Sequence, residues 1–161
     1  MTSPRLRRLM HDYEAVRAEC SGHERVTVTP QGPAPAQVYH VEFRVPGLRM
    51  IDGELVEVDR HEVEIRLPLG YPREPPYCIA LTPVFHPNID QHYCIGDFWA
   101  AGESLVDIVA KLADMIQYRV LNPHSPLNVE AARYAVAHPE RFPLGTADIY
   151  QPEVEISLKT A

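Results

Sequence analysis

Apolar residues recur along this chain with two periods. From residue 3 to 20 the period is helical: Leu6, Leu9, Met10, Tyr13 and Val16 form one stripe, with Arg5, Arg8, Asp12 and Glu19 on the other face. Ser3 suits the N-cap and Pro4 the first turn. Alternation then takes over. Val26 and Val28 share a side within Arg25 to Thr29, and Tyr39, Val41, Phe43 and Val45 share one within Val38 to Val45. Residues 30–37, rich in Pro and Gly, separate the two predicted strands. Asp52-Gly53 signals a hairpin turn. Leu55 to Leu67 reads as a long strand region whose alternation shifts between Val56/Val58 and Val63/Ile65/Leu67, which predicts a bulge or short loop near Arg60. Tyr77 to Thr82 is the fourth strand. The stretch Leu69-Gly70-Tyr71-Pro72-Arg73-Glu74-Pro75-Pro76 before it is a stiff, irregular connection. Short turns between successive strands predict an antiparallel meander.

The helical period returns after residue 104. Ser104 and Asp107 make a capping-box start. Leu105, Ile108, Val109, Leu112, Met115, Ile116 and Val120 give an apolar stripe suited to a central helix packed on the sheet, ended by Asn122-Pro123. Asn128 caps a further helix, Val129 to Ala137, closed by Pro139. From Leu144 no helical stripe remains; Val154, Ile156 and Leu158 alternate, so the tail adds a strand or stays loose. Segregated strands and helices define an α+β fold: an N-terminal helix, a four-stranded antiparallel meander, a central helix and a further C-terminal helix. One domain over residues 1–143 and a tail over 144–161 are expected.

Composition narrows the class. A chain of 161 residues, 45% hydrophobic, suits one domain with a real core. The net charge of −7, from 22 acids against 15 bases, argues against a nucleic-acid binder. No apolar run matches a membrane span, and residues 1–10 lack the apolar core of a secretory signal. Three scattered cysteines form neither a disulfide framework nor a CxxC motif. A cytoplasmic protein is the expectation. Lys111 and Lys159 are its only lysines, the other bases being arginine, which hints at a GC-rich, bacterial genome.

Candidate chemistry concentrates in residues 84–94. His86, Asn88, His92 and Cys94 put two imidazoles, a carboxamide and a thiol in a short connection, and Pro87 stiffens it by fixing its own φ and holding His86 extended. Cys20 and Cys78 are expected to be structural, His61 to lie at the surface and Trp99 to anchor packing. His86, His92 and Cys94 offer zinc-ligand types, but their spacing matches no familiar site, and no metal or cofactor is expected. Arg5, Arg7 and Arg8 sit at the positive end of the first helix, where each costs roughly 0.3–1 kcal/mol at most. They mark either an acidic partner or a solvated face.

With these elements in this order, the chain resembles the ubiquitin-conjugating enzymes over about residues 4–142. The motifs are His86-Pro87-Asn88, Tyr71-Pro72-x-x-Pro75-Pro76, Cys94, Trp99 and Pro123-x-x-Pro126-Leu127. The resemblance implies that Cys94 takes a ubiquitin-like protein from an activating enzyme as a thioester and passes it to a lysine of a target protein. By position, Asn88 donates toward the oxyanion or holds its loop, His86 shapes that loop, and Ser125 falls at a gate. His124 beside it is a candidate base or lysine-orienting group, as is His92. Arg5, Arg7 and Arg8 match the face that meets an acidic activating enzyme. The chain departs from the pattern in three places. Asn88 and Cys94 stand two residues closer than the family pattern, and the Cys94–Trp99 spacing is shortened. Arg73 and Ala100-Ala101-Gly102 replace ligase-contacting positions, which counts against an ordinary ligase. A clear fourth helix is missing. These departures, with the arginine-rich composition, suggest a bacterial relative, and the resemblance to bacterial members implies an antiviral conjugation pathway. A non-catalytic module that binds a ubiquitin-like protein, or a cysteine hydrolase using Cys94 with His86 or His92, are the alternatives.

Overall fold

A computed structural model describes residues 2–96 and 99–150. Helix α1 (Pro4–Cys20) starts at the predicted cap, where Ser3 Oγ accepts the Leu6 N–H at 3.1 Å. It buries Leu9, Asp12, Val16 and Cys20. Asp12 therefore leaves the solvated face on which its spacing placed it. Three donors explain why, one from the same helix and two from distant elements. Its Oδ2 accepts the Arg8 Nε–H at 2.9 Å and the Tyr71 hydroxyl, and its Oδ1 accepts the Leu105 N–H at 3.1 Å. A carboxylate can be buried when its lone pairs are used this fully.

Six strands follow: β1 (Val26–Gln31), β2 (Val38–Phe43), β3 (Gly47–Ile51), β4 (Glu54–Val58), β5 (His61–Arg66) and β6 (Tyr77–Ala80). The sheet has the antiparallel order β1-β2-β5-β6, with Val41 opposite both Val28 and Val63. This is the expected meander, with the β3–β4 hairpin let in between its second and third strands. Asp52 (φ 51°) and Gly53 (φ 79°) turn that hairpin in the left-handed conformation such tight turns use. The interruption expected near Arg60 falls at Asp59-Arg60, between β4 and β5. Strand β3 has no counterpart among the predicted strands. It starts on Pro46-Gly47, and of its larger apolar side chains only Leu48 is buried; Met50 and Ile51 are exposed.

His61 is the second correction: it is fully buried at the start of β5, not at the surface. Its Nε2 lies 3.1 Å from the Val45 carbonyl and 3.2 Å from that of Val58. Gly47 packs on the ring so closely that a Cβ there would stand 2.7 Å from it. Burial pushes its pKa down to about 4. The ring is thus neutral, with its Nε2–H pinning the hairpin to the sheet.

Helix α2 (Leu105–Ile116) has the predicted capping box and shares one core with the sheet, burying Leu105, Ile108, Val109, Leu112 and Ile116. It ends before Val120 because Tyr118 turns left-handed (φ 58°). The Tyr118 hydroxyl donates to the Phe85 carbonyl and its ring stacks on Phe142 at 4.2 Å. Helix α3 (Val129–Ala137) follows, capped by Asn128, and a 3-10 turn covers Pro139–Arg141. Beyond it, Leu144 N–H donates to the Gln117 carbonyl at 2.8 Å, and the Gln117 carboxamide exchanges two hydrogen bonds with the Ala147 backbone. Val154, Ile156 and Leu158 lie outside the described residues. Among the described residues no helix is long and apolar enough to cross a membrane.

Candidate active site

Residues 88–94 close into a small hairpin with Gln91 at its tip. The Cys94 N–H donates to the Asn88 carbonyl at 3.0 Å, and the Asp90 N–H to the His92 carbonyl at 3.1 Å. The hairpin is stitched to β6: Ala80 N–H donates to Gln91 O and Tyr93 N–H to Cys78 O. Tyr93 and Ile95 are buried, while Cys94 between them is partly exposed and His92 exposed. Alternation thus puts His92 and Cys94 on the outward side. Cys20 and Cys78 are buried as expected, and burial pushes their thiols up to about 11 and about 12. Neither forms a thiolate readily, so Cys94 is the accessible thiol of the three.

The preceding residues 84–89 are buried throughout. His86 is enclosed, its pKa pushed down to about 4 by burial. Its Nδ1 accepts the Asn88 N–H at 3.0 Å, and its Nε2–H donates to the Val120 carbonyl at 3.0 Å. Both nitrogens are spent inside the fold, so His86 has no lone pair for a metal and no free base for a hydrolase. Among the described residues no three metal-type side chains are placed to hold an ion.

Asn88 meets Asn122 twice. Its Nδ2 donates to the Asn122 carbonyl at 2.9 Å and its Oδ1 accepts the Asn122 N–H at 2.7 Å. The Pro87 carbonyl accepts from both Leu127 and Asn128 N–H groups. These bonds lash the 86–88 segment to residues 120–128, which carry His124 and Ser125, both exposed. The structure thus gathers Cys94, Asn88, His86, His124 and Ser125 on two tied loops. Sequence reasoning missed Asn122, which registers only as a helix terminator; nothing local in Asn122-Pro123 signals a bond to a residue so far back in the chain.

Trp99 is the packing anchor expected of it. Its indole N–H donates to the Pro72 carbonyl at 3.1 Å, and its ring lies 5.8 Å from that of Tyr71. The three arginines of α1 separate. Arg8 turns inward to the carbonyls of Ala101 and Glu103, and Arg5 reaches Gln37 and the Pro68 carbonyl. Arg7 stays exposed.

The sequence profile described as "Ubiquitin-conjugating enzyme" matches residues 8–147. The chain is 27% identical to the NEDD8-conjugating enzyme UBE2F of Gallus gallus over 136 residues, 78% of this chain and 71% of that protein. It is 26% identical to ubiquitin-conjugating enzyme E2 2 of Eremothecium gossypii, covering 99% of this chain and 91% of the other. With the Saccharomyces cerevisiae protein of the same name, identity is 27%, with 88% and 80% covered. Helix, meander, central helix and the His86-Pro87-Asn88 loop leading to a reachable thiol agree with that match, and the chain belongs to the ubiquitin-conjugating enzyme family.

Proposed function

We propose that Cys94 carries the C-terminus of a ubiquitin-like protein as a thioester, accepts it from an activating enzyme and gives it to an amine of a target lysine. The supporting observation is the partly exposed Cys94 thiol on a hairpin braced by Asn88 and β6, in a chain of this family. Exchange of one thiol for another is close to neutral in energy, so loading needs neither a cofactor nor a strong base. Amine attack is harder, because a tetrahedral oxyanion must form. A preorganised amide donor there is worth about 2.7–4 kcal/mol at comparable sites.

Asn88 has a spare Nδ2 hydrogen for that oxyanion while its other contacts hold the loop to Asn122. His86 holds the loop rather than taking protons, since both its nitrogens are bonded. Ser125 and His124 border the approach of the acceptor lysine. Arg7, with the outer parts of Arg5 and Arg8, faces an acidic activating enzyme. Arg73, exposed on the 67–76 loop, supports a reaction that does without an ordinary ligase. The arginine-rich composition supports a bacterial origin, and with it an antiviral conjugation pathway.

The test mixes the chain with an activating enzyme, ATP and the modifier, with gels run with and without thiol reductant. A reductant-sensitive adduct, lost in Cys94→Ala, is the expected result. Binding without an adduct favours the non-catalytic module, and release of cleaved modifier favours the hydrolase.

A further inference from the structure

Three imidazoles stand close to Cys94 in the chain or across the tied loops, and their surroundings differ. Both nitrogens of His86 are bonded within the fold. At His124 the backbone N–H is held by Asn122 Oδ1 at 3.0 Å, but among the described residues nothing orients its ring. His92 is different. Its Nδ1 lies 3.1 Å from Asp90 Oδ1, and the same oxygen accepts the His92 N–H at 3.0 Å. The Asp90 carboxylate at that distance favours the ring hydrogen on Nδ1, the tautomer whose Nε2 lone pair is free. This is the carboxylate-to-imidazole arrangement by which an acid orients a general base.

Placement supports the same role. His92 and Cys94 stand two residues apart in extended backbone with buried Tyr93 between them, so both face outward. Their Cβ atoms are then roughly 6–7 Å apart. An amine attacking an acyl group on the Cys94 sulfur enters that gap, within direct or one-water reach of the ring. The His92 side chain is 56% exposed, so an acceptor can approach it.

We propose that Asp90 and His92 form a general-base dyad for aminolysis of the Cys94 thioester, an inference that rests on the carrier function above. The amine nitrogen adds to the thioester carbonyl. As the C–N bond forms, one amine proton passes to His92 Nε2. The C–S bond then breaks, the sulfur leaves as thiolate, and the imidazolium returns the proton to it. The products are an amide and free Cys94.

The experiment loads the chain with modifier, stops the activating enzyme by removing ATP, adds free lysine and follows loss of the thioester. Discharge is read per unit of thioester formed, and circular dichroism shows whether His92→Ala, His92→Gln and Asp90→Ala fold like the parent. Discharge to lysine should slow by roughly 10²-fold in both His92 variants. It should slow less in Asp90→Ala, which loses the orienting acid but keeps the ring. Imidazole in solution should restore part of the rate to His92→Ala and add little to the parent. Discharge of loaded His92→Ala at the parental rate overturns the dyad alone. A parent chain that never forms the thioester overturns both the dyad and the carrier reading, and that result is visible before lysine is added.

Discussion

His61 and His86 are fully buried, and burial holds each near pKa 4 against an ordinary 6.5, outweighing the opposing pull of Asp59 on His61. The unfolded chain takes up protons on both rings as pH falls below 6.5, and the folded chain refuses them until about 4. Stability is therefore lost on acidification through that window, by up to about 1.4 kcal/mol per pH unit for each ring, and the loss levels off once the folded rings titrate too. Urea midpoints at pH 7.5, 6.5, 5.5 and 4.5 should fall progressively below 6.5; a flat profile from 6.5 to 5 would contradict the neutral-ring assignment. Sequence did not reveal this at His61. A histidine at a break in alternation, between Asp59-Arg60 and Glu62, has polar neighbours and reads as surface. What buries it is the β3–β4 hairpin folding Gly47 onto its ring. His86 was legible, because Pro87 ties it to the loop whatever surrounds it.

At the scale of elements, one carboxylate joins three of them. Asp12 of α1 takes the Tyr71 hydroxyl from the 67–76 loop and the Leu105 N–H at the start of α2. Arg8 continues the seam to the Ala101 and Glu103 carbonyls. Asp12→Ala takes the counter-charge from Arg8 and the acceptor from the Tyr71 hydroxyl and the Leu105 N–H, and should cost about 3–5 kcal/mol. Tyr71→Phe removes the bond donated to Asp12 and the one accepted from Arg8 at 3.3 Å, and should cost roughly 1.5–3 kcal/mol. Urea denaturation ranks them; an Asp12→Ala midpoint near the parent's would show that the seam carries little. Periodicity misplaced Asp12 because it counts a residue's neighbours along one helix, and Tyr71 and Leu105 come from elsewhere in the chain. Helix starts were legible for the opposite reason: Ser3, Ser104 and Asn128 each cap through a donor three residues on. The overrun of the α2 stripe to Val120 shows the limit, since the left-handed turn at Tyr118 is set by Phe85 and Phe142 from outside the helix.

Over the whole molecule, Lys111 and Lys159 are the only side-chain amines. Lys111 is held by both carboxylate oxygens of Glu103, at 3.1 and 3.0 Å, with its side chain 19% exposed. Self-conjugation by the loaded chain should therefore be sparse, confined to the N-terminus and these two residues, with Lys111 the least used. Peptide mapping of the products checks this, and abundant conjugates elsewhere would contradict it. The molecule's plan was legible as a whole, because segregated strands and helices leave few ways to bury their apolar faces; the seams between loops, such as Asn88 with Asn122, were not. The hairpin from Asn88 to Cys94 sets a counting rule on that plan. Facing inverts with every residue along extended chain, so gaining or losing one position would swing the sulfur into the place Tyr93 fills, unless a bulge absorbed it. Here Asn88 and Cys94 stand six positions apart (94 minus 88), an even number, and the thiol looks outward. Lineages that trim or extend this turn should do so in pairs.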